Sequence, residues 1–223
     1  MGYIQDKIHS LKIELPEQVS LVAVSKFHPE ESIREAYEAG QRIFGESKVQ
    51  ELVPKAEHLP KDIEWHFIGH LQTNKIKYII PFVSLIHSVD SFKLLKEINK
   101  EAQKKDRIVD CLLQFHIAEE DTKFGLSLVE ADDFLSAGLL NELDHIRIVG
   151  VMGMATFSDN DDQVRKEFKN LKMIFDTLKH TYFEDKSYFK HVSMGMSDDY
   201  TIAIEEGSTL VRIGSSIFGV RNY

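Results

Sequence analysis

Short apolar runs alternate with longer amphipathic stretches along the whole chain. The runs at 20–26, 42–45, 64–69, 85–89, 109–117, 146–154, 189–193 and 209–213 are strand-like in length and residue type. Between them lie helical patterns with their own punctuation. Pro29 stands at the start of the first pattern after Lys26, and Gly40 just past its end. In the longest, Val164, Phe168, Leu171, Phe175, Leu178 and Tyr182 recur at steps of three or four and form one apolar stripe, which marks them as packing residues.

Strands alternating with helices indicate βαβ units and a parallel sheet. A doubly wound sheet has about five or six strands and a Gly-rich first turn, G-x-G-x-x-G. Here the first turn reads Ser25-Lys26-Phe27-His28-Pro29. Eight strand runs in 223 residues therefore predict a (β/α)8 TIM barrel, with 1–223 as a single domain.

Composition narrows the classes of partner. The chain is 43% hydrophobic and 28% charged, as expected of a globular protein and unlike a disordered one. With 36 acidic against 27 basic residues the formal charge is -9, which repels a polyanion and excludes a general nucleic-acid surface. No apolar run approaches the ~18 residues of a membrane span. The opening MGYIQDKIHSLKIELP lacks a secretory pattern. A cytoplasmic, membrane-free protein is expected. The one cysteine, Cys111, lies in an apolar run and reads as inert core.

In a barrel the carboxyl ends of the strands face the site, and Lys26 ends the first. An amine in a partly apolar mouth is favoured in its neutral form, the form that attacks carbonyls. The competing reading is a lysine that snorkels to water. The loops after strands seven and eight, Ser193-Met194-Gly195-Met196-Ser197 and Arg212-Ile213-Gly214-Ser215-Ser216, stand where barrels commonly bind phosphate. Ser197 also reads as a plain helix N-cap, and Asp198 and Asp199 are expected to face solvent. Lysine and phosphate loops together suggest a phosphorylated carbonyl compound: pyridoxal 5'-phosphate (PLP), or the substrate of a Schiff-base aldolase.

The motifs AVSK (23–26), FGES-KVQE (44–51), HFIG-LQTNK (66–75), KFG (123–125), MGM (152–154), SMGMS (193–197) and VRIGSSIFG (211–219) occur in one order. Over residues 21–223 the chain resembles the YggS/PROSC family of pyridoxal phosphate homeostasis proteins. That resemblance implies a barrel like the N-terminal domain of alanine racemases, with PLP as cofactor. It implies a Schiff base on Lys26 and Arg212 facing the pyridine nitrogen. Phosphate contacts fall to Ser193, Met196, Ser197, Gly214 and Ser215, and a ring contact to Ser47. Ser47 replaces a commoner asparagine, and His70 and His116 also depart from the family pattern.

An arginine opposite the pyridine nitrogen keeps that nitrogen unprotonated and the ring a poor electron sink. Arg212 also argues against an aldolase, which has no pyridine to hold. An amino-acid racemase or lyase remains the alternative, with Tyr223 as a weak candidate for a second base. The chain ends at Tyr223, shortly after the eighth strand run, with no second domain expected. The reading is a monomeric, non-catalytic PLP carrier that serves apo PLP-dependent enzymes. His66 and His70, four apart, are read as packing or ligand contacts, not as a metal pair, and Glu51 as the start of a surface helix.

Overall fold

A computed structural model describes residues 2–119 and 124–219. Eight strands close into one parallel barrel in sequence order. They are β1 (Ser20–Val24), β2 (Ile43–Glu46), β3 (Glu64–Phe67), β4 (Leu85–Val89), β5 (Val109–Phe115), β6 (Ile146–Gly153), β7 (His191–Ser193) and β8 (Leu210–Ile213). All eight expected strands are present, with ends shifted by up to two residues. Closure runs through β1 and β8, where Ser20 pairs Leu210 and Ala23 pairs Ile213.

Helices α1 (Tyr3–Glu14), α2 (Glu30–Glu38), α3 (Val49–His58), α4 (Ile76–Ile79), α5 (Phe92–Gln103), α6 (Leu128–Ser136), α7 (Asp161–Tyr182), α8 (Tyr200–Glu205) and α9 (Ser215–Phe218) surround the strands. The α1 helix, with Ile4, Ile8 and Leu11 buried, has no counterpart among the strand–helix units expected from the pattern. The predicted stripe on α7 buries Val164, Phe168, Leu171 and Leu178, and Phe175 and Tyr182 pack at its margin. Pro29 is the residue before α2, not its first turn, and Gly40 follows at φ +84°, a left-handed helix end that suits glycine.

Two apolar layers result. Most of the core lies between strands and helices, with Phe44, Phe67, Phe115, Phe168 and Phe189 fully enclosed. Inside the barrel, Val22, Leu85, Leu112, Val149, Met152 and Leu210 form a separate cluster. Strands covered on both faces are near-continuously apolar, which is why the runs in the sequence showed little alternation. Cys111 is buried, and burial pushes its thiol well above the ordinary range, with the Asp110 charge adding to the effect. No helix among the described residues is long and apolar enough to cross a membrane.

Candidate functional site

The barrel's inner apolar cluster leaves the carboxyl ends of the strands open to a cavity of about 280 Å3. Lys26 enters it two residues past the end of β1, in step with the alternation of Val22 and Val24. Arg212 rises from β8, while Val24, Ile68, Met154 and Met196 supply apolar walls. Ser197, Asp198, Gly214 and Ser215 complete the lining from the loops after β7 and β8.

These two loops are joined to each other. Gly214 N–H donates to Ser197 Oγ at 3.3 Å, and Arg212 N–H donates to Gly195 O at 2.9 Å. Gly195 has φ +93°, and a Cβ there would lie 2.6 Å from Ala203 Cβ and 3.0 Å from Tyr200 Cα. Only glycine fits both the backbone conformation and the approach of α8. Gly214 is also confined, since a Cβ would meet Val24 O at 3.1 Å.

Arg212 is the buried end of a polar chain crossing the barrel interior. Its Nη1 donates to Ser193 Oγ at 2.6 Å and its Nη2 to Gly153 O at 3.2 Å. Ser193 Oγ is 2.9 Å from His87 Nδ1, and His87 Nε2 is 3.0 Å from His66 Nδ1. Arg212 only donates, so Ser193 Oγ accepts from it. Burial, reinforced by the His191 charge, lowers His66 to about 3. Burial and the charges of His66, Arg212 and His191 hold His87 well below its ordinary value. Burial lowers Arg212 to about 10 against the opposing Asp199 charge, leaving it a cation at neutral pH.

A second buried group lies under the Lys26 turn. Lys55 Nζ is 2.7 Å from Glu46 Oε1, and both side chains are almost inaccessible. Burial raises the Glu46 carboxyl, and the Lys55 charge opposes the rise. Glu46 Oε2 is a buried oxygen without a hydrogen-bond partner among the described residues.

Lys26, Met196, Ser197, Arg212, Gly214 and Ser215 therefore share one cavity wall. Ser193 does not: it is fully buried and bonded to Arg212 and His87, so its hydroxyl faces the barrel axis beneath the cavity. Ser47 lines a separate, broader cleft of about 600 Å3, with Lys48, Glu51, His70 and Lys75. That cleft is the larger, but it lacks both Lys26 and Arg212. Ser197 bridges two loops, and the N-cap of α8 is Asp199. Asp198 is exposed but, against expectation, also lines the Lys26 cavity, and Asp199 is only partly exposed and accepts Met196 N–H at 2.6 Å.

His66 pairs with His87, while His70 lies on the surface, 3.5 Å from Asp90 and stacked on Phe124. Lys123 and Tyr223 lie outside the described residues. The His87 and Glu46–Lys55 contacts escaped the sequence reading. Their only local signal was a polar residue within an apolar strand.

The model of the alanine racemase N-terminal domain matches residues 2–222. A pyridoxal phosphate homeostasis protein of Aquifex aeolicus is 41% identical over 204 residues, covering 91% of this chain and 87% of that one. The protein of the same name in Escherichia coli K12 is 34% identical over 230 residues, covering 100% and 96%. PipY of Synechococcus elongatus, solved with PLP bound, superposes with a TM-score of 0.87 at 33% identity, covering 97% of this chain and 100% of PipY. Alanine racemase from Bartonella henselae shares the fold, with a TM-score of 0.72 at 16% identity, covering 98% of this chain and 59% of the racemase. A likeness in sequence that spans the barrel from end to end, under a matching family model, makes this chain a member of the alanine racemase N-terminal domain family, among its pyridoxal phosphate homeostasis proteins.

Proposed function

We propose that this chain binds PLP covalently through Lys26 and takes part in PLP homeostasis as a non-catalytic carrier, with residues 1–223 acting as one cofactor-binding domain. The observation that carries the reading is the meeting of Lys26, Arg212 and the loops of Ser197, Gly214 and Ser215 on one small cavity. The relatives named as homeostasis proteins and the PLP-bound PipY support it.

The residues present fit the group. PLP joins an aldehyde, a pyridine nitrogen and a phosphate on one flat ring. The cavity has an amine, a guanidinium, hydroxyl-bearing loops confined by glycine, and apolar walls for the ring, with exposed Asp198 as the acidic group of its lining. When bound, PLP supplies an aldehyde that condenses with a neutral amine and releases water.

The side chains then have separate tasks. Lys26 provides the nucleophilic nitrogen. Ser197 and Ser215, with the backbone amides beside Gly214, hold the phosphate. Arg212 is anchored by Ser193 and Gly153 and keeps its proton, so it would donate to the pyridine nitrogen of bound PLP and would leave that atom unprotonated. A ring without that proton accepts electrons poorly, which supports holding over transforming. The carrier role extends to a cytoplasmic setting and to apo PLP-dependent enzymes as recipients.

Reduction of the PLP-loaded protein with borohydride, followed by peptide mass spectrometry, tests the reading. The phosphopyridoxyl group is expected on Lys26, and Lys26→Ala is expected to abolish it. A label placed mainly on another lysine would sink the proposal.

A further inference from the structure

Lys26 occupies an unusual turn. His28 N–H donates to Ser25 O at 3.1 Å, which makes Ser25, Lys26, Phe27 and His28 a β-turn. Phe27, at its third position, has φ +67°. This is the type II position that favours glycine, and a bulky aromatic residue is strained there. A turn of this kind persists only where its surroundings over-determine it.

The surroundings include three charged side chains from β2 and α3, with Lys48 Nζ 4.4 Å from the centre of the Phe27 ring and His28 stacked on Phe218 of α9 at 5.0 Å. Glu51 Oε2 accepts Phe27 N–H at 2.7 Å. Lys55 Nζ donates to Ser25 O at 2.9 Å and to Glu46 Oε1 at 2.7 Å, and lies 3.8 Å from Glu51 Oε2. Ser25 Oγ donates to the same Glu46 oxygen at 2.6 Å. The residues immediately before and after Lys26 are thus tied to one carboxylate–ammonium–carboxylate cluster. Burying such a cluster is not, by itself, a gain in stability over apolar packing.

We propose that Glu51, supported by Lys55, is the positioning residue for Lys26: it holds the strained turn so that the lysine amine meets an aldehyde at the cavity. The inference rests on the PLP reading above and adds to it a group outside the lining of the Lys26 cavity. Without the Glu51 carboxylate, the Phe27 N–H loses its acceptor and the turn relaxes toward negative φ. The lysine then leaves its approach to the cavity, while the phosphate loops keep their own bonds, Gly214 N–H to Ser197 Oγ and Arg212 N–H to Gly195 O, although His28 of the turn stacks on Phe218 of α9.

The test measures two quantities on wild type, Glu51→Ala, Glu51→Gln, Phe27→Gly and the double variant Phe27→Gly/Glu51→Ala. One is the rate of covalent PLP capture on Lys26; the other is equilibrium binding of pyridoxine 5'-phosphate, which has ring and phosphate but no aldehyde. Glu51→Ala is expected to slow capture by about tenfold or more and to change pyridoxine phosphate binding by less than about twofold. Glu51→Gln keeps an oxygen acceptor and is expected to restore most of the rate. Glycine adopts positive φ freely, so in the Phe27→Gly background the Glu51→Ala effect is expected to shrink to less than about threefold.

Unchanged capture in Glu51→Ala overturns the proposal, as does an equal loss of pyridoxine phosphate binding or an undiminished effect in the Phe27→Gly background. Should Glu51→Ala not fold, the glutamine variant decides, and a failure of glutamine to support capture overturns the proposal. Wild type without label on Lys26 overturns the PLP reading instead.

Discussion

His66 and His87 show how burial sets the chemistry of single residues. Each sits inside a barrel strand, and neither meets a carboxylate in the bonds it makes; the chain runs from Arg212 through Ser193 to two neutral imidazoles. A folded-state value near 3 for His66, against an ordinary 6.5, means that the unfolded chain binds a proton which the folded one refuses between those pH values. Stability therefore rises with pH across this window, by up to about 1.4 kcal/mol per pH unit for each such group. Urea unfolding from pH 4 to 7 is expected to show a shallower dependence for His66→Gln than for wild type. Equal slopes would mean that His66 is protonated in the fold. The position of Lys26 was readable because strand ends in a barrel face the site, but the partners of His66 were not. His87 lies on the paired neighbour β4, and Ser193, which bonds His87, lies on β7, reached only by barrel closure.

Among the elements, the loop between β7 and α8 shows how a short stretch of backbone can be fixed by a neighbour. Gly195 turns at positive φ against Ala203 and Tyr200 of α8, and Ser197 then reaches the Gly214 amide. Gly195→Ala adds a Cβ in a forbidden region and is expected to cost about 1–3 kcal/mol in unfolding free energy. It is also expected to weaken binding of PLP, read by equilibrium dialysis, with the reaction at Lys26 still occurring at saturation. Unaltered affinity would show that this loop does not hold the phosphate. The loop's small and hydroxyl-bearing residues were legible as a phosphate motif. The place of Ser193 was not, because strand alternation turns it inward to Arg212 while Ser197, in the loop, reaches the cavity.

At the scale of the whole molecule, barrel closure delivers Lys26 and Arg212, the first and last strand contributions, to one wall through the pairing of β1 with β8. Under the proposed function, the arginine's fixed proton suits the site to retention of PLP. Incubating the PLP-loaded protein with L-amino acids in deuterated water is expected to give no deuterium at Cα at turnover rates, as read by NMR; sustained exchange would refute the carrier role. The sequence alone determined the strand and helix order, the parallel barrel, Lys26 at a strand end and the glycine and hydroxyl loops, because these follow from local periodicity, turn chemistry and motif order. Tertiary structure decided what no local pattern records: that Ser193 backs Arg212, that Ser47 lies in another cleft, and that Glu46, Glu51 and Lys55 grip the turn carrying Lys26. The physical reason is that a hydrogen bond needs partners within about 3 Å whatever their separation in the chain, and only the closed fold sets those distances.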